Sequence, residues 1–331
     1  MQASDGSGEW LAAGFNGENS TFNAVATDGT QVYALGVHTG TSYTFGSSTG
    51  PATLPLSTTW NNLSADVLAV SATGQLNWAQ AVANSASDAI TALGLAASTT
   101  AVYISGSSHN NSVFPGGVVV AGTGSPHDYG YLARLNKNSG QTAWVRTFSG
   151  SSNHDQVGRA LATDSHGDVL LAGTYKQSLT LPNGTPLSGA NDVQVFVSKF
   201  NGSGGLKWAI TPMGDKDDRP NGVALDGNGG VYAAGSYQKE ITFNTFFSDD
   251  NSENLFVAKL HDMDFDVAEF RDPSRFIAPG PFCMTDGPLN LASLLIPERS
   301  GTGIAVFSSS CLLYTSPSPR DRTRSRMPSS A

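Results

Sequence analysis

Several residues could do chemistry if their neighbours allowed it. Gly46, Ser47, Ser48, Thr49 and Gly50 spell G-x-S-x-G. That pattern makes a nucleophile elbow only when a strand precedes the serine and a helix follows it. Pro51 follows here and no helical pattern begins, so the stretch reads as a polar loop. Six histidines occur: His38, His109, His127, His154, His166 and His261. His127-Asp128 and His154-Asp155 are adjacent pairs, but neighbours on a strand point to opposite faces, whereas acid–base or metal chemistry needs convergence. They read as exposed loop histidines. Asp215, Asp217 and Asp218 form one acidic cluster, and Asp262, Asp264 and Asp266 form another. A calcium loop of the EF-hand type needs Gly at its sixth position and Glu at its twelfth. Counting from Asp262 gives Val267 and Pro273. The first cluster reads as a solvated turn with, at most, weak cation affinity. Asn19, Asn62, Asn110, Asn183 and Asn201 begin N-x-S/T sequons, which chance supplies in a chain so rich in Asn, Ser and Thr. No catalytic, cofactor-binding or metal-binding residue is assigned from these patterns.

The elements that would position such residues come from a repeat. In LNKNSGQTAW, Leu135–Trp144, a short apolar run meets a polar glycine turn and then a tryptophan. The frame returns as Val70…Gly74…Trp78 and Phe200…Gly204…Trp208, with a cut-off copy at Gly6…Trp10. Successive tryptophans, Trp10, Trp78, Trp144 and Trp208, are 68, 66 and 64 residues apart. A strand-ending glycine recurs at Gly36, Gly106, Gly173 and Gly235, 26 to 29 residues after each Trp. Phe45, Phe114, Leu181 and Phe243 follow those glycines by eight or nine positions. Several landmarks on one period define a repeat. Within each unit the apolar period is two, with β-branched and aromatic residues prominent, which predicts strands. Asp-Gly, Asn-Gly, Ser-Gly and Gly-Gly separators supply the positive-φ positions of tight hairpins.

Each unit therefore offers four short strands and an inserted loop or hairpin, as around LPNGTPL. One such sheet leaves two faces and two edges open. Radial stacking covers the faces, which predicts an all-β fold: a β-propeller built from about four repeats of ~65 residues, as an incomplete arc of a larger ring. Residues 1–261 hold the repeats, as Trp-to-Trp units 10–77, 78–143, 144–207 and 208–261. The tryptophans are expected to dock blade on blade.

Composition bounds the partners. Hydrophobic residues make up 39% and charged residues only 14%, with 37 glycines, as suits a turn-rich all-β chain. The net charge is −9, and the seven lysines are scattered. Nucleic acid is therefore excluded as a partner, because phosphate neutralisation needs clustered cations. No run of 18 apolar residues exists to span a membrane as a helix. Neither cysteine, Cys283 nor Cys311, lies in the repeats, so no disulfide framework or cysteine zinc site forms there. The N-terminus shows no signal-peptide pattern.

After Leu260 the expected Gly and Trp give way to HDMDFDVAEF, and prolines crowd residues 262–310, an irregular segment outside the repeat. Residues 311–331, CLLYTSPSPRDRTRSRMPSSA, resemble the translation of a sequencing-library adapter. That reading makes the basic tail artefactual and disordered. The chain itself reads as a fragment of a longer protein.

The segments DQVGRALATDSHGDVLLAGTY with VFVSKFNGSGGLKW, and NGVALDGNGGVYAAGSY with LFVAKL, resemble SBBP-type β-propeller repeats. The likeness covers roughly residues 4–261. It implies a propeller in an extracellular or cell-envelope setting and no chemistry. LNKNSGQTAW is also similar to the tryptophan-docking motif of the quinoprotein dehydrogenase propellers, which bind pyrroloquinoline quinone. This chain lacks their paired cysteines and central calcium site. The expectation is thus a non-enzymatic recognition or scaffold module without a cofactor, binding a protein or glycan through loops that differ between copies. A quinoprotein-like oxidoreductase, or a truncated fragment with no independent function, is the alternative.

Overall fold

The structure is a computed structural model that describes residues 13–15, 20–38, 43–47, 50–54, 64–84, 90–109, 111–122, 128–150, 156–226, 229–243 and 246–261. The chain divides between His261 and Asp262, and all described residues lie before that division. The irregular segment, the adapter-like tail, both cysteines and Trp10 therefore fall outside the described residues.

Every described element is a strand. β1 (Ala13–Phe15) comes first. Blade one then holds β2 (Ser20–Thr27), β3 (Gln31–His38), the hairpin β4 (Tyr43–Ser47) and β5 (Gly50–Leu54), β6 (Ser64–Ser71) and β7 (Leu76–Asn84). Blade two holds β8 (Ile90–Ala97), β9 (Ala101–Ser108), the hairpin β10 (Ser112–Phe114) and β11 (Val118–Val120), β12 (Tyr129–Asn136) and β13 (Thr142–Phe148). Blade three is β14 (Val157–Thr163), β15 (Val169–Thr180), β16 (Pro186–Phe200) and β17 (Leu206–Ile210). A short β18 (Met213–Gly214) leads into blade four, β19 (Arg219–Leu225), β20 (Gly230–Phe243) and β21 (Phe246–His261). Each blade is an antiparallel meander, as in the β8-β9-β12-β13 and β14-β15-β16-β17 sheets. The blades form an arc of β-propeller type, and the described residues do not close it into a ring.

The strand-ending glycines have a steric cause. In every blade the first strand bulges opposite its second-strand glycine, at Asn23, Leu93, Arg159 and Asn221. The bulge drives the carbonyl oxygens of Thr21, Thr91, Val157 and Arg219 onto the α-carbons of Gly36, Gly106, Gly173 and Gly235. A Cβ at any of the four would collide with that oxygen. Glycine is needed here for close approach rather than for a left-handed backbone.

Three apolar clusters fill the three junctions between successive blades. Tyr33, Leu35, Val67 and Trp78 of blade one pack on Leu95, Ile104, Tyr131 and Leu135 of blade two. Tyr103 and Leu132 meet Leu171, Tyr175 and Phe196 across the second junction. Val195 and Val197 meet Val231, Ala233 and Phe256 across the third. Fully burying one such side chain is worth about 1.5–3 kcal/mol, so each junction is the core of the fold rather than a trim on it.

The inserted hairpins add a second kind of link. β10 pairs with the end of β7, Ser149 bridges Thr180, and β18 pairs with β20. In each case the tail of one blade's outer strand, or the residues just after it, pairs with the insert of the next blade. β1 pairs with β4 in the same manner, so it occupies the outer-strand position of a blade ahead of blade one.

Candidate functional site

Antiparallel meanders give the arc two unlike faces. One, the turn face, carries the links between first and second strands and between third and fourth strands. The other, the insert face, carries the hairpins and the crossings from blade to blade.

On the turn face the tryptophans are placed by a shared geometry. Trp78 leans on Tyr33 of its own blade, with ring centroids 6.0 Å apart, and its Nε1 donates to the Lys137 carbonyl of blade two at 2.8 Å. Trp144 leans on Tyr103 at 6.0 Å, and its Nε1 donates to the Gly202 carbonyl of blade three at 3.0 Å. The receiving turn is glycine-floored in both cases. Gly140 sits at φ +68° and Gly204 at φ +79°; a Cβ on Gly140 would strike the Trp78 indole, and one on Gly204 would crowd Arg146 and the Trp144 indole. The Gly-x-x-x-Trp frame is thus two halves of different docks: its glycine receives the preceding blade's indole, and its Trp reaches the following blade. The residue two after the Trp adds to the dock. Gln80 Nε2 donates to Ser139 O at 3.0 Å, and Arg146 donates from Nε to Gly204 O at 2.9 Å and from Nη2 to Ser203 O at 3.1 Å. Trp208 packs beside the third apolar cluster.

Carboxylates tie the same turns. Asp28 accepts from the backbone N–H groups of Thr30 and Gln31 and from Lys137 Nζ of blade two at 2.8 Å. Burial would raise its pKa, but the Lys137 ammonium and the turn donors win and hold it well below the usual range. In blade three, buried Lys199 pairs with Asp164 at 2.9 Å and Asp168 at 3.5 Å, and Lys207 joins Asp168 at 2.6 Å. Burial opposes ionisation of Asp164, yet Lys199 and the turn amides bring its pKa below the ordinary value.

The insert face is different in every blade. In blade one His38, Ser64 and Asp66 share one side of the sheet and are buried. Blade-two, blade-three and blade-four strands place Tyr131, Phe196 and Phe256 where Asp66 stands. Asp66 Oδ2 pairs with His38 Nδ1, while Asp66 Oδ1 is buried without a partner. Burial pushes the Asp66 carboxyl up, against the opposing pull of His38. Ser64 Oγ lies 3.0 Å from the same Nδ1. A nucleophilic triad needs the acid and the hydroxyl on opposite ring nitrogens; here Asp66 and the nearer Ser64 contact share Nδ1, with Nε2 3.5 Å from Ser64 Oγ, so the trio is not laid out as one. The expectation of an exposed loop histidine fails at His38, because a strand-end residue opposite Ser64 is enclosed on both sides. In blade two His109 Nδ1 lies 3.1 Å from Asp128 Oδ1, and Ser107 Oγ donates to Asp128 Oδ2 at 3.1 Å. Both His109 and Asp128 keep part of their surface in water. Asp128 therefore partners His109 across the blade; its neighbour His127, and also His154, lie outside the described residues.

The acidic cluster also departs from expectation. Asp215 is exposed and pairs with Lys239. Asp217 accepts from the Val193 N–H at 3.0 Å and from Arg219 at 3.3 Å. Asp218 is buried rather than solvated. Its backbone N–H donates to Val193 O at 2.8 Å, its Oδ1 accepts from the Gln238 N–H at 3.2 Å, and its Oδ2 has no partner. The run from Gly214 to Asp218 is a strap between blades three and four. Burial, followed by the fields of Asp217, Asp192 and Asp215, outweighs the Gln238 hydrogen bond and raises the Asp218 pKa to about 7. No group of three His, Cys, Asp or Glu among the described residues is arranged to hold a metal.

The remaining sequence candidates fall into ordinary roles. Gly46 and Ser47 end β4 and Gly50 opens β5, so a strand follows the G-x-S-x-G where an elbow needs a helix. His166 stands in the turn between β14 and β15, its N–H donating to Asp164. His261 ends β21. Asn183 and Asn201 accept from backbone N–H groups in their own turns. Asn19, Asn62, Asn110, Asp262, Asp264 and Asp266 lie outside the described residues.

No protein-family model and no curated protein sequence matches the chain. Among solved structures it is similar to a protein of unknown function from Bacteroides caccae, at 13% identity over 65% of this chain and 71% of that one, with a TM-score of 0.29. It is also similar to BamB from Moraxella catarrhalis, at 13% identity over 64% of this chain and 82% of that one, with a TM-score of 0.26. Likeness at that level carries no functional argument. The blade architecture rests on the sheets and junctions described above.

Proposed function

We propose that the chain is a non-enzymatic recognition or scaffold module of SBBP-repeat type, working in a secreted or cell-envelope setting. Its ligand is a protein or glycan bound on the insert face. One observation carries this reading. The tryptophan docks of the turn face repeat at two junctions, and the polar groups around them are committed to turns and blade junctions. Those of the insert face differ in each blade: His38 with Asp66, His109 with Asp128, and Asp218 in its strap. A rigid arc that varies only one face is suited to recognition, because the packing that holds it is untouched by changes there.

The test is a screen of the full chain on glycan and peptide arrays, repeated with His109→Ala and with Lys137→Ala. A binder lost with the insert-face variant and retained with the turn-face variant supports the reading. A binder lost only with Lys137→Ala contradicts it. Reconstitution with pyrroloquinoline quinone and calcium should yield no alcohol or sugar oxidation, and turnover would favour an oxidoreductase instead.

A further inference from the structure

The tip of the blade-three insert carries an exposed Asn-Gly step, Asn183-Gly184. β15 ends at Thr180 and β16 begins at Pro186, so residues 181–185 make the hairpin turn. Leu181 N–H donates to Thr185 O at 3.0 Å, and Gly184 N–H donates to Leu181 O at 2.8 Å. Leu181 is buried and anchors the turn, while Asn183, Gly184 and Thr185 stand in water. Thr185 N–H donates to Asn183 Oδ1 at 3.0 Å. That bond folds the Asn183 side chain toward the peptide that follows it and draws electron density from its amide carbon. The nearest nucleophile along the chain is the Gly184 nitrogen, and no Cβ shields it. Its bond to Leu181 lies at the surface, so water replaces it at small cost.

The other described Asn-Gly steps lack this freedom. Asn201 Oδ1 accepts from both the Ser203 and the Gly205 N–H, at 3.0 and 2.9 Å. Gly202 O is held by Trp144 Nε1 at 3.0 Å, so the peptide after Asn201 is pinned in the indole dock. Asn221 stands in β19, where Gly222 pairs with Ala234 across the sheet. Attack on the side-chain carbon needs the peptide after the asparagine to rotate, and a laddered strand or a clamped turn resists that rotation. Asn16 and Asn228, which begin the remaining Asn-Gly steps, lie outside the described residues.

We propose that Asn183 is a self-modification site, converted to aspartate and isoaspartate without an enzyme. The Gly184 nitrogen gives its proton to water and bonds to Asn183 Cγ. The Cγ–Nδ2 bond breaks, and Nδ2 takes up a proton and leaves as ammonia. Water then opens the cyclic imide at either carbonyl. One opening restores the backbone as aspartate; the other routes the chain through the side chain as isoaspartate. One water is consumed and one ammonia released, with no change of oxidation state. Both products place a new negative charge at the tip of an insert-face hairpin, and neither touches a blade junction. The insert face thus changes as the molecule ages while the arc stays intact.

Peptide mapping by mass spectrometry tests this on the full chain, held at mildly alkaline pH and sampled over time. Asn183 should convert first, into two separable products with the mass of the acid, while Asn201 and Asn221 keep their amides. In urea the folded restraint is gone, and Asn201 and Asn221 should convert about as fast as Asn183. Gly184→Ala should slow conversion at Asn183 by about tenfold or more, because its methyl group crowds the attack. Nothing stands within 4 Å of a Cβ there, so the variant should fold, and circular dichroism checks that it does. Native Asn201 or Asn221 converting as fast as Asn183 overturns the proposal. So does an Asn183 that keeps its amide, or a Gly184→Ala chain that converts at the wild-type rate.

Discussion

The turn face and the insert face of the same blades solve opposite problems. On the turn face, Trp78 and Trp144 cross to the next blade by one rule: an indole over a glycine floor, with Nε1 on a turn carbonyl. On the insert face the backbone crossings recur, with Gln156 N–H on Asp128 O and Asp218 N–H on Val193 O, but the polar side chains around them differ. Ser149 bridges Thr180 at one, and the Gly214–Asp218 strap spans another. The difference shows where the fold keeps its strength. Repeated side chains hold the arc on the turn face, whereas on the insert face the side chains vary around repeated backbone links.

Breaking the turn face should produce the largest effect. Trp78→Ala removes a buried indole, its stack on Tyr33 and its bond to Lys137, and is expected to cost about 3–5 kcal/mol in urea unfolding. Trp144 is half-buried and should cost somewhat less on the same measurement.

The two faces should also respond to pH with opposite signs. Asp28 has a lowered pKa, so its turn contributes stability above the ordinary aspartate value of 3.8 and loses it as pH falls. Asp218 has a raised pKa of about 7. Its strap is fully stabilising below 3.8, declines as pH rises, and has lost that contribution once pH passes about 7. The loss is on the order of 2 kcal/mol after allowance for solvent screening. Melting curves from pH 4 to 8 should show this slope in the wild type, and Asp218→Asn should flatten it. An unchanged slope in that variant would assign the pH dependence elsewhere.

The smallest stability effect belongs to His109→Ala. His109 and Asp128 are partly in water, and such a pair contributes roughly 0–1 kcal/mol. The melt should barely move while any insert-face binder is lost.

The all-β class and the four-strand unit were legible in the sequence because they rest on local signals. Period-two runs and glycine separators are set by neighbouring residues, and the recurring Trp multiplies the signal. What the Trp touches was not legible, since Lys137 and Gly202 stand 59 and 58 residues away from their indoles. The strand-ending glycines were visible as a spacing, but their cause, a bulge on a partner strand, is a pairing fact. His38 and Asp66 were hardest to foresee. Asp66 interrupts an otherwise apolar run, ADVLAV, which was a usable signal, but its imidazole partner lies on another strand. Asp218 looked like a solvated turn because three aspartates within four residues usually are one. Only the crossing of Val193 and Gln238 encloses it.

The docking of indole on glycine is the claim on which the rest depends, and two glycine substitutions isolate it. Gly140 and Gly184 both have positive φ, +68° and +82°, so alanine strains the backbone at either. Only Gly140 lies under a tryptophan; nothing stands within 4 Å of a Cβ at Gly184. Urea unfolding of the two variants side by side should show Gly184→Ala losing about 1 kcal/mol from strain alone, and Gly140→Ala losing about 1–3 kcal/mol more as Trp78 is displaced. Equal losses would mean that Trp78 does not depend on the glycine floor, and would contradict the account.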